Sequence, residues 1–216
     1  MSQLGTFQLK GASRGFAKRK ENQMAISLKK GENIPLDAGL KNIKVCLGWK
    51  ERESEGEDFD LDATCFMLGS NGKVLKDQDI IFYGNLKSQC GSVQHMGDDL
   101  QGGEGDVEQI QIDLTKVPQQ YAKLAFVVTI YEYDQRKQNF GMVSDAFIRL
   151  VDMEKGTPGE GEEVARFELS EDAGIETAVL FAEIYRYNGA WKFKALGEGY
   201  NFGLLEFCQK YGVHTK

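Results

Sequence analysis

The chain has 216 residues, enough for one large domain or two small ones with a real core. Hydrophobic residues make up 41%, which excludes global disorder, and a net charge of −7 argues against general nucleic-acid binding, which needs a basic face. The four cysteines, Cys46, Cys65, Cys90 and Cys208, form no Cys-x-x-Cys pair and suit reduced thiols better than a disulfide framework.

Residues 1–23 stand apart from the rest. Lys10, Arg14, Lys18, Arg19 and Lys20 face a single acid, Glu21, and glycine and serine interrupt any pattern. This segment is expected to be a disordered basic extension, or alternatively an electrostatic contact with an anionic membrane or an acidic partner. The opening residues lack the apolar core of a signal peptide, and no apolar run is long enough to span a bilayer. A cytoplasmic protein is expected, peripheral to the inner face of the membrane if the tail makes that contact.

From Met24 onward, short apolar or alternating runs are separated by turn residues. Strands are expected at Ala25–Leu28, Ile43–Gly48, Phe59–Leu68, Ile80–Tyr83, Gln109–Leu114, Leu124–Tyr131 and Ala146–Val151. Ala165–Leu169, Ala178–Tyr187 and Trp191–Leu196 complete the set. Leu124–Tyr131 is apolar on both faces and should be central to a sheet. Ile110, Ile112 and Leu114 alternate with polar residues, the pattern of a half-exposed strand. Asn188-Gly189 predicts a type I′ hairpin, with Trp191 and Phe193 pointing inward. Phe202 to Tyr211 has helical apolar spacing and stops at Gly212. Together these predict an all-β fold, a β-sandwich with a short C-terminal helix, as one domain over residues 24–216.

Asp58-Phe59-Asp60-Leu61-Asp62 carries the most chemistry. In an extended backbone its three carboxylates share one face, while Phe59 and Leu61 share the other. Like charges so placed repel by about 4 kcal/mol per pair at roughly 4 Å and an effective dielectric near 20, so a cation is expected beside them. Gly97–Glu108 is a glycine-rich segment loaded with oxygen donors, and glycine lets a backbone fold closely around an ion. Calcium takes six to eight oxygens in loose geometry, so the two segments together resemble a calcium site. The same acids would otherwise form a solvated surface patch.

Several familiar motifs are excluded. An EF-hand fails because Ala63 stands where glycine is required and Gly69 where the bidentate glutamate belongs. Gly102-Gly103-Glu104-Gly105-Asp106 resembles a calcium nonapeptide repeat, but it occurs once and is incomplete. Zinc would want histidine or cysteine, whereas His95 and His214 stand alone. No phosphate loop, nucleophile elbow or zinc-protease helix occurs, so the chain is expected not to be an enzyme.

The same residues resemble the TerD family of bacterial tellurium-resistance and general stress proteins. The likeness runs from about Met24 to Val213. It rests on Ala25–Gly31, Gly48-Trp49 followed by Asp58–Ala63, Phe82–Leu86, the acidic loop at Gly97–Glu108, and Asp145–Leu150. Leu169–Asp172, Glu176–Ala178 and Tyr185–Phe193 follow in order. The resemblance implies a calcium-binding β-sandwich with a non-catalytic role among other proteins of a stress-response complex, a membrane-bound one included, and no nucleic-acid partner. As calcium ligands it implies Asp58, Asp60, Asp62, Asp98, Asp106 and Glu108, and beyond these Asn85, Asp99, Glu104 and Asp145. Two departures stand out. The family commonly reads Gly-Asp-Asn-Leu-Thr-Gly where this chain has Gly97-Asp98-Asp99-Leu100-Gln101-Gly102, and Val107 interrupts an acidic run that is commonly longer. The alternative from another class is an enzyme or thiol-based detoxifier acting directly on tellurium oxyanions, which an acidic site would repel.

Overall fold

A computed structural model describes residues 25–51, 59–97, 106–169 and 174–214. The basic extension at 1–23 lies outside them. The described chain runs through β1 (Ile26–Leu28), β2 (Asn33–Pro35), β3 (Asn42–Glu51), β4 (Leu61–Leu68), β5 (Ile80–Ile81), β6 (Val93–His95) and β7 (Glu108–Asp113). It continues through β8 (Lys123–Ile130), α1 (Tyr133–Arg136), β9 (Val143–Thr157), β10 (Gly161–Glu168), β11 (Ala178–Tyr187), β12 (Ala190–Tyr200) and α2 (Leu204–Tyr211).

The strands form two six-stranded sheets, in the orders β1-β10-β9-β3-β7-β6 and β2-β12-β11-β8-β4-β5. The fold is therefore an all-β sandwich with a short C-terminal helix, as the alternating runs lead one to expect. Between the sheets sits one core, filled by Val45, Leu47, Leu61, Met67, Phe126, Ile148, Phe181 and Phe193 among others. A second cluster lies on the outer face of the β8 sheet, where Phe207, Cys208 and Tyr211 of α2 cover Phe66, Leu68, Val127 and Leu180.

This arrangement explains β8. Leu124, Phe126, Val128 and Ile130 enter the inner core while Ala125 and Val127 lie under α2, so both faces are apolar. In β7 buried and half-buried residues alternate, because its outer face meets solvent. The β11–β12 hairpin turns at Asn188 and Gly189, with φ of 50° and 81°. Positive φ at both positions is what a type I′ turn needs. Helix α2 ends at Gly212, whose φ of 81° lets its N–H reach Cys208 and Gln209 carbonyls.

Differences from the sequence reading are local. The strand β4 begins at Leu61 rather than Phe59, and the expected Ile80–Tyr83 strand closes after Ile81. Phe193 is fully buried, but Trp191 is only half-buried, its ring stacked under the Arg186 guanidinium at 4.1 Å. Three elements were not expected, β2, β6 and α1, each of three or four residues. Among the described residues no helix is long and apolar enough to cross a membrane.

Candidate metal centre

Asp60 and Asp62 reach their positions because their neighbours are pulled inward. Phe59 and Leu61 are buried in the inner core, which turns the alternate residues to the other face of the chain. Asp62 shares that face of β4 with Thr64, Phe66 and Leu68 and sits opposite Thr129 of β8. It is only 5% exposed. Asp60 is half-buried just before the strand, where its carbonyl accepts the Tyr131 N–H at 2.8 Å. A carboxylate so withdrawn from water demands compensation by hydrogen bonds or positive charge. An all-oxygen pair of this kind suits a hard cation such as calcium.

Glu108 goes the opposite way. As the first residue of β7 it takes the inward face with Ile110 and Ile112. His95 Nε2 lies 2.8 Å from Glu108 Oε2 and 3.2 Å from the Ala63 carbonyl. Gly97 N–H donates to His95 Nδ1 at 3.3 Å, which leaves the ring proton on Nε2, facing the carboxylate. The pair joins the two ends of the 97–108 segment.

Asp106 is committed to an arginine. Arg149 Nε and Nη2 donate to its two oxygens at 2.7 and 2.6 Å, a forked pair, while Arg149 Nη1 reaches Glu163 at 3.1 Å. The hydrogen bond to Asp106 pushes the Arg149 guanidinium above its ordinary range. Arg149 pairs in register with Cys46, so this cluster occupies the outer face of the β3 sheet. Burial, followed by the nearby Asp106 charge, pushes the Cys46 thiol up.

Asp145 adopts φ of 52° at the start of β9, is exposed, and pairs with Lys50 at 3.3 Å. Asn85 closes the turn after β5, its amide donating to the carbonyls of Gln78 and Ile80 at 3.2 and 2.7 Å.

The structure thus brings Asp60 and Asp62 together on one face. It places Glu108 between the sheets and Asp106 on the outer face of the opposite sheet. Among the described residues no three His, Cys, Asp or Glu side chains form a group that could hold a metal ion. Asp58, Asp98, Asp99 and Glu104 lie outside the described residues. Asp60 and Asp62 fit an oxygen-liganded cation, and Asp106, Glu108 and Asp145 each lie beside a basic side chain. The sequence reading missed His95 and Arg149 as partners. The alternation that carries Glu108 inward was visible in Ile110 and Ile112, but β6, which delivers His95, is too short to show a period.

The thiols differ sharply. Burial pushes the thiols of Cys46, Cys65 and Cys208 up. Cys90 is exposed in the turn before β6, with its sulfur 3.5 Å from Ser88 Oγ and 3.0 Å from Ser92 Oγ. Partial burial opposes its ionisation, but the serine hydroxyls outweigh it and bring the thiol below its ordinary value.

Comparison with known proteins extends this picture. The TerD domain model matches residues 24–211. Tellurium resistance protein TerD of Serratia marcescens is 51% identical over 196 residues, spanning 89% of this chain and all of that protein. General stress protein 16U of Bacillus subtilis (strain 168) is 45% identical over 197 residues, with the same coverage of both. A solved homologue of telluride resistance protein (TerD) from Streptomyces coelicolor A3(2) superposes with a TM-score of 0.63 at 22% identity. It covers 78% of this chain and 95% of that one, a likeness of fold alone. A match across nearly nine-tenths of the sequence, with half the residues identical to a relative covered from end to end, places this chain in the TerD family.

Proposed function

We propose that the chain is a calcium-binding, non-catalytic module of tellurite and chemical stress resistance that works in the cytoplasm by docking to other proteins of a stress-response complex. The observation that carries the reading is the pair Asp60 and Asp62, two carboxylates on one face of the chain at β4, one of them nearly sealed from water. Their chemistry asks for a hard cation. The names carried by relatives, tellurium resistance and general stress, supply the biological setting.

Asp60 and Asp62 would hold the ion, with Asp58, Asp98, Asp99 and Glu104 as further oxygen donors. Bound calcium supplies positive charge that offsets carboxylate repulsion. The protein's own part is to fix the stems. Phe59 and Leu61 anchor the acidic strand, and His95 with Glu108 fixes the base of the 97–108 segment, so the surface between them can be ordered for a partner.

The test is thermal unfolding of protein stripped of metal. Calcium at about 100 times its dissociation constant adds roughly 2.7 kcal/mol if it binds only the folded state. The expected result is a clear rise in Tm, reversed by chelator and smaller with magnesium. A melting curve indifferent to calcium leaves the acids as a solvated patch.

Exposed Cys90, with its lowered thiol, favours the second reading, direct action on tellurium oxyanions. Within the chain, however, closing a disulfide needs a second accessible thiol, and the other three are buried. Steady turnover of tellurite by purified protein would support this reading over the first.

A further inference from the structure

A cavity of about 320 Å³ opens on the flank of the sandwich away from β4, between β1 and β10 of one sheet and β12 of the other. It exists because both sheets run short there. The strand β2 covers β12 only over Lys192–Lys194, and β1 pairs with β10 on one side only, through Leu28. Leu28, Phe167, Leu169 and Val179 form its apolar wall. On β12, Gly197 and Gly199 leave room for Phe167 and Glu176 to close in, since a Cβ at either glycine would stand 2.8 and 2.4 Å from those side chains.

The charges at the mouth are unequal. Glu168 is paired with Arg166 Nε at 3.1 Å, so Glu176, which accepts only the Ile175 N–H at 3.1 Å, is the one acid of the lining set against two lysines. Lys29 and Lys30 also line the cavity, both exposed, and neither forms an ion pair with any described residue. An apolar wall beneath two uncommitted ammonium groups is complementary to one kind of ligand.

We propose that this cavity binds a small amphiphilic anion, an apolar body carrying one carboxylate, with the body against Leu28, Phe167 and Val179 and the carboxylate at Lys29 and Lys30. A volume at the lower end of ligand sites favours a free small molecule over a two-chain lipid. The site lies on the same sheet as Asp62, with Val179 two strands from Ala63 in register, and shares no residue with the acidic pair.

Sodium octanoate and 1-octanol, titrated separately into isotopically labelled full-length protein, test this by amide chemical shifts. Octanoate is expected to give saturable shifts at Val179, Gly197 and Gly199. Octanol, with the same tail and no charge, should bind about fivefold more weakly, the factor that one partly exposed ion pair supplies. The double variant Lys29→Gln/Lys30→Gln should bring octanoate down to the level of octanol, and Leu169→Trp should weaken both by filling the cavity. Shifts that spread over the surface without saturating would overturn the proposal. So would an octanoate affinity unchanged by loss of both lysines.

Discussion

His95 Nε2 and Glu108 Oε2 meet at 2.8 Å with both side chains sealed between the sheets, beside the two ends of the acidic 97–108 segment. Replacing a buried ionisable pair with apolar residues is often neutral, but removing one partner is costly, because the other loses part of its compensation for burial. The pair is therefore a positional device. It keeps the last residue of β6 and the first of β7 in contact.

His95→Ala should lower unfolding stability by about 3–5 kcal/mol, the usual cost of stranding a buried charge. The double variant His95→Leu/Glu108→Leu should recover much of that loss. Urea unfolding of both proteins checks this. A loss below about 1 kcal/mol for His95→Ala would mean that Glu108 does not depend on the imidazole.

The hairpin supplies a sharper packing test. Phe193 is fully buried, so Phe193→Ala should cost about 3–5 kcal/mol. Trp191, half-buried and stacked on Arg186, should cost less, because solvent already reaches part of the indole. Equal losses would show that the Arg186 contact seals Trp191 as fully as the core seals Phe193.

These two residues also show how far the sequence could be read. Apolar or alternating runs bounded by turn residues find long strands well, and they found β3, β8, β11 and β12. Alternation placed Trp191 inward because residues 191 and 193 share a face, which they do. That Trp191 sits beside the hairpin turn, under an arginine held by the Val117 and Tyr121 carbonyls, depends on contacts about 70 residues away in sequence. The acidic site follows the same rule. The shared face of Asp60 and Asp62 is local and was legible. The partners of Asp106 and Glu108 are Arg149, on another strand, and His95, on a strand too short to show a period.

Tyr121 gives a pH prediction. Burial and its hydrogen bond to Asp79 at 2.8 Å push the phenol up to about 12. The unfolded chain releases that proton near pH 10. A folded-state value above the unfolded one means stability that is complete below pH 10 and is lost as pH rises toward 12. Tyr121→Phe should therefore lose less stability than the parent between pH 10 and 12, by on the order of 2 kcal/mol. Parallel alkaline slopes in the two proteins would remove Tyr121 from the account.

Thiol labelling separates Cys90 from its fellows. A disulfide reagent should modify one cysteine per native chain, and peptide mapping should place it at Cys90. Because that thiol sits below its ordinary value, its labelling rate should hold up at lower pH than a free thiol's. Cys46, Cys65 and Cys208 should react only on unfolding. Rapid labelling of Cys46 in the native protein would show that the Asp106–Arg149 cluster opens.

The ligand set can be resolved by comparing two aspartates that the structure treats differently. Asp60 lies just before β4 on the same face of the chain as Asp62, whereas Asp106 is gripped by Arg149 through two short hydrogen bonds. Calcium could take Asp106 only at the expense of its forked pair with Arg149, which would then keep Glu163. Asp60→Asn should weaken calcium binding by at least about tenfold, roughly 1.4 kcal/mol, while relieving repulsion in the metal-free protein. Asp106→Asn should do the reverse, lowering the stability of the metal-free protein while leaving calcium affinity nearly unchanged. Calcium titrations followed by calorimetry, together with metal-free melting curves, read both quantities. If Asp106→Asn abolishes calcium binding at unchanged metal-free stability, Arg149 must release Asp106 to the ion, and the two acidic segments then close on one site.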